Sequence, residues 1–209
     1  MKNTSPYSAA ITGCGFMINE MTAVLPLLMS DNADALLKDE IINNRLLKIN
    51  TETTRKRAIA EFQRRYKAVP PAFWNHYLDM SPQAQNIAMF FVVLKAYRIC
   101  FDFQVNVVIK KWNSVSQSVT FNDVYMQMME IAADDPFVDS WSDATKRKVV
   151  GSYLTILRKV GILDDSDALH PVTLPDDEFA YYLTIGEPWF LEACLLQPYE
   201  IERIKDSAL

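Results

Sequence analysis

Apolar residues recur along this chain at spacings of three and four, and few segments alternate as strands do. The pattern predicts a mainly α protein. Residues 16–29 are apolar at helical spacing, and residues 34–44 follow with Leu36, Leu37, Ile41 and Ile42 on one side. A connector over 45–50 leads to Thr51, whose hydroxyl can cap a helix running to about Tyr66, before Pro70 and Pro71. Phe73 opens a short aromatic helix to Leu78, and Ser81-Pro82 starts another over 83–99 that resumes after a break to Trp112. Beyond a polar loop, Thr120 with Asp123 begins a helix whose face is Phe121, Val124, Tyr125, Met128 and Met129. A single turn over 136–141 and a capped helix over 142–160 come next, stopped by Gly161. Residues 171–175 read as one strand of a small β-hairpin, and two or three helices close the chain. A boundary near Met80 gives two modules, 1–80 with a helix at 51–66 and 81–209 with a helix at 142–160.

Those two helices share a pattern. Residues 51–62 align without a gap on residues 142–153, 91 positions later. A hydroxyl, an acid, a Thr and three cations recur in order, as Arg55-Lys56-Arg57 and Lys146-Arg147-Lys148, followed by two apolars and, further on, an aromatic.

Charge sharpens this. The 209-residue chain carries a formal −5, which argues against a polyanionic partner. Its distribution argues the other way, because local field decides what approaches a surface. Residues 45–67 hold eight cations against two acids, residues 144–160 hold five and none, and residues 161–209 hold two against eleven.

Other classes fall away. Cys14, Cys100 and Cys194 are too scattered for a disulfide framework or a zinc site. The N-terminal residues are polar, so no secretory leader is read and a cytoplasmic location is expected. Residues 87–109 contain Lys95, Arg98 and Asp102 and are expected to be buried helices rather than a membrane span. No small-molecule substrate, cofactor, metal or catalytic residue is expected. His76 reads as a satisfied helix histidine and His170 as a loop residue, while the acids at 164–167 and 176–178 lack the acid-x-Lys of a nuclease.

Chemistry concentrates on the second basic helix. Val149, Val150, Tyr153, Leu154, Leu157 and Val160 form an inward stripe. The opposite face holds Arg147, Lys148, Gly151, Ser152, Thr155, Arg158 and Lys159: small and polar at the centre, cationic at the flanks. A helix in a major groove needs that arrangement, and free amides at its start can add a phosphate contact. The order of elements is that of a winged helix-turn-helix, although both connectors exceed the usual three or four residues. The candidate DNA contacts are Arg55, Lys56, Arg57, Arg64 and Arg65 in the first helix, and Lys146, Arg147, Lys148, Ser152, Thr155, Arg158 and Lys159 in the second. Glu61 on the first face favours backbone contact over base reading.

The run from Tyr7 to Phe16 (Tyr-Ser-Ala-Ala-Ile-Thr-Gly-Cys-Gly-Phe), with Asn19-Glu20 after it, resembles the opening of BrxA proteins from BREX phage-defence systems. The two basic helices fall where that family has its own. The resemblance implies a small, mostly helical, non-enzymatic protein that binds double-stranded DNA. It would work with other BREX components: a methyltransferase, an ATPase and a phosphatase-like protein. Two other readings stay open: an interaction scaffold within a larger complex, and a helical RNA-binding protein.

Overall fold

The computed structural model describes residues 5–207 and is mainly helical. Two short helices, α1 (Ile11–Cys14) and α2 (Ile18–Leu28), precede α3 (Ala33–Asn43) and the first basic helix, α4 (Glu52–Lys67). Then come α5 (Pro71–Asp79) and α6 (Pro82–Ala96). Every residue of α6 from Ile87 to Leu94 is buried, so this helix is apolar on all sides because it runs through the core. Extended backbone at Tyr97 ends it before α7 (Arg98–Phe103), a π-helical turn at Gln104–Val108 and α8 (Ile109–Trp112). The apolar stretch is therefore divided. Among the described residues no helix is long and apolar enough to cross a membrane.

The later part holds α9 (Phe121–Asp134), α10 (Pro136–Asp139), the second basic helix α11 (Asp143–Lys159), α12 (Asp176–Thr184), α13 (Trp189–Ala193) and α14 (Pro198–Ser207). Thr120 and Asp123 form a reciprocal capping box at the start of α9. Within the core, the π turn supplies Gln104, whose side chain donates to the Ala193 carbonyl at 2.7 Å and accepts from the Tyr153 hydroxyl. That bond pins α11 to the C-terminal helices. Buried side chains on both sides of Met80 belong to one cluster, from Ile11 to Ile204.

The expected β-hairpin does not form. Among the described residues there are only two isolated antiparallel bridges, Ser118 with Ala168 and Leu163 with Leu169. The 171–175 segment is tied elsewhere: Val172 donates to the Cys194 carbonyl at 2.9 Å, and the Thr173 carbonyl accepts from Gln83 at 2.8 Å. Pro171 and Pro175 also lack the amide hydrogens a strand ladder requires.

Candidate nucleic-acid interface

Both basic helices begin in the same way. The Thr51 hydroxyl accepts from the Thr54 amide, and the Ser142 hydroxyl from the Thr145 amide, each at 3.2 Å. One residue on, the acid pairs four positions ahead with the middle cation of its triplet: Glu52 with Lys56 at 2.5 Å, Asp143 with Arg147 at 2.7 Å. The Lys56 ammonium holds the Glu52 carboxyl below its usual range. The Tyr125 hydroxyl and the Arg147 guanidinium do the same to Asp143. Arg147 also lies over the Tyr125 ring, 4.8 Å from its centre.

The first cation of each triplet turns inward, against expectation. Arg55 is 8% exposed and donates to the carbonyls of Ile41, Ile49 and Asn50. Lys146 is 6% exposed and donates to the Asp139 carbonyl at 3.1 Å. Arg55 braces the end of α3 and the connector after it, and Lys146 the end of α10. The carbonyls there have lost the partners a continuing helix would give, and a charged donor satisfies them. Arg65 is a third correction. It is fully buried, with bonds to the carbonyls of Phe16 (2.6 Å) and Gly15, the Cys14 thiol and the Tyr97 hydroxyl. The Tyr97 hydroxyl in turn donates to Glu61 at 3.0 Å, so the expected solvent-facing acid belongs to this network. These three cations are internal braces, and the surface retains the other nine candidates.

Among the nine, Lys56, Arg64, Arg147 and Arg158 are paired with Glu52, Glu61, Asp143 and Asp167. Arg57, Lys148 and Lys159 are exposed, and no ion pair reaches them among the described residues. Lys148, Ser152, Thr155 and Lys159 lie together on one side of an open cleft of about 590 Å³. The other side is the turn from α1 into α2, Cys14 to Glu20, which pattern reading had not connected with α11. Met17 sits there at φ 39° and gives α2 no side-chain cap. Arg65 of α4 holds this turn by two of its carbonyls, and α1 packs on both α4 and α11. The two basic helices are thus linked through α1.

The likeness of the two helices extends to what precedes them. α3 ends at Asn43 and α9 at Asp134; α4 starts at Glu52 and α11 at Asp143; both intervals are 91 residues. Leu37 and Met128, Leu47 and Val138, Ile59 and Val150, Phe62 and Tyr153, and Val69 and Val160 are all buried at matching positions. A helix–connector–helix unit occurs twice. Its connector amides at matching positions are met by carboxylates from different places: Glu40 accepts from Leu46 and Leu47, and Asp135 from Phe137 and Val138.

The histidine expected to be satisfied is not. His76 lies on Tyr181 with ring centres 3.8 Å apart, and its buried Nε2 has no hydrogen-bond partner among the described residues. No group of three or more His, Cys, Asp or Glu is placed to hold a metal ion among the described residues.

This is a helical protein built around a duplicated unit with a basic second helix. The chain belongs to the BrxA family, a protein family of BREX systems: the family model matches residues 5–184. Membership points to a part in BREX phage defence. No curated protein sequence matches the chain. Among solved structures, it resembles an uncharacterized protein from Magnetospirillum magneticum at a TM-score of 0.76 and 22% identity, over 91% of this chain and 98% of that one. That likeness is one of fold.

Proposed function

We propose that this protein is a double-stranded DNA-binding accessory component of a BREX-type defence system, acting by binding rather than by catalysis. The observation that carries the reading is the third cation of each triplet. Arg57 and Lys148 occupy the same position in the two units, exposed and without an ion pair among the described residues, while their neighbours brace connectors or pair with acids. A cation that serves the fold can be met by an acid or a carbonyl at hand. One left in solvent at both repeats is available to a phosphate.

Lys159 extends the contact along the α11 cleft, where Ser152 and Thr155 offer hydroxyls. Glu20 on the facing wall keeps anions towards the lysine side. Lys56, Arg147 and Arg158 serve as a second rank, since exposed pairs are weak enough to exchange an acid for a phosphate, and Arg64, whose partner Glu61 is mostly covered, exchanges less readily. The α9–α10–α11 order acts as a helix-turn-helix-like element, and its repeat in α3–α4 gives one chain two basic helices to offer a duplex. Backbone contact dominates over base reading.

Fluorescence anisotropy with labelled duplex DNA, single-stranded DNA and double-stranded RNA at three salt concentrations tests this. The duplex is expected to bind best, with log Kd rising linearly with log salt. Absence of duplex binding at low salt would falsify the reading, and tighter binding of RNA would reassign the polyanion.

A further inference from the structure

The outer side of α9 carries large apolar side chains that face solvent. Met126 is 67% exposed and Met129 42%; just past the helix, Phe137 is 37% exposed. In the duplicate unit the matching positions hold Ala35, Lys38 and Leu46. The same helix forms and packs its inner face with a small residue and a cation where α9 has two methionines. Those methionines therefore answer to something outside the core.

Continuing the i, i+4 row of Met126, Glu130 and Asp134 are exposed, and no ion pair reaches either among the described residues. They share the rim of an open cavity of about 500 Å³ with Asp102 and Asp135. The cation in that lining, Arg98, is already held by Asp102 at 2.9 Å. An apolar stripe thus has acids along one side, while Lys111, held by Asp123, and Lys110 share a second cavity with Met126 and Glu130.

We propose that this face of α9 and α10 docks an amphipathic helix of another protein, with lysine or arginine along one edge. Its apolar ridge sits on Met126, Met129 and Phe137, and its cations meet Glu130 and Asp134. Methionine suits this because it is unbranched and adapts to the ridge it receives. The sign of the partner follows from the uncompensated acids.

The probe is a fluorescein-labelled helical peptide of leucine and lysine at amphipathic spacing, titrated into the full chain and read by anisotropy. Its counterpart has glutamate for lysine. The lysine peptide is expected to bind, and the glutamate peptide is not. Met126→Ser with Met129→Ser, and separately Glu130→Lys with Asp134→Lys, should each raise Kd by about tenfold or more. Binding of duplex DNA by the methionine variant should stay at the wild-type level. Should the serine variant fold poorly, Met126→Ala with Met129→Ala serves in its place. An unchanged Kd for either pair overturns the proposal, as does loss confined to the acid pair, which would mean simple cation attraction. A wild-type dimer in sedimentation that the methionine substitutions dissolve also overturns it, because the face would then belong to a second copy.

Discussion

Arg55 and Lys146 stand 91 residues apart and do the same work: each lies buried at the first turn of its helix and reaches back to carbonyls of the segment before it. The duplicated unit thus uses its first cation as a brace. Arg55→Ala leaves three carbonyls without a charged donor and is expected to cost about 2–3 kcal/mol in urea denaturation. Duplex affinity, measured where the variant is still folded, should change by less than about twofold.

Arg65 should be costlier. Its guanidinium is fully buried and satisfies Phe16, Gly15 and Tyr97, and Glu61 closes the network. Arg65→Ala strands several buried polar groups and is expected to lower stability by about 3–5 kcal/mol. Arg65→Lys should recover little, because one ammonium cannot reproduce the planar fork. Denaturant midpoints of the three proteins check this ordering.

The turn after α11 should respond to acid. Asp164 accepts from His170, Ser166 and the Ala168 amide, and these bonds hold its carboxyl well below the usual range. Its pKa is lower folded than unfolded, so its contribution is complete above about pH 4 and is lost as the pH falls towards the folded value. Hydrogen exchange at the Ala168 amide should be protected to the same extent from pH 7 to 5, once corrected for intrinsic rates. Protection should fall below that range, and Asp164→Ala should show the lower protection throughout.

Much of this was legible in the sequence because it is local. The caps at Thr51, Thr120 and Ser142 depend on residues three apart, and the stripes of α4 and α11 on helical spacing. The direction of each cation was not, since it depends on what lies opposite. Arg65 faces a turn some fifty residues earlier, and Arg55 faces carbonyls that only the connector's path exposes. The hairpin failed for a similar reason: the β-favouring residues at 171–175 found partners on α6 and beside α13 instead of on each other. The cleft between α11 and the α1–α2 turn joins segments far apart in sequence. Even the repeat was legible only at its strongest dozen residues, because α3 and α9 match in burial more than in residue type.

The most direct test is a salt series of duplex DNA titrations comparing wild type with Arg57→Glu and Lys148→Glu, singly and together. Each single reversal is expected to weaken binding at moderate salt and to reduce the log–log salt slope by about 0.9 or more, with the two effects adding. Wild-type affinity and slope retained in the double variant would contradict the account.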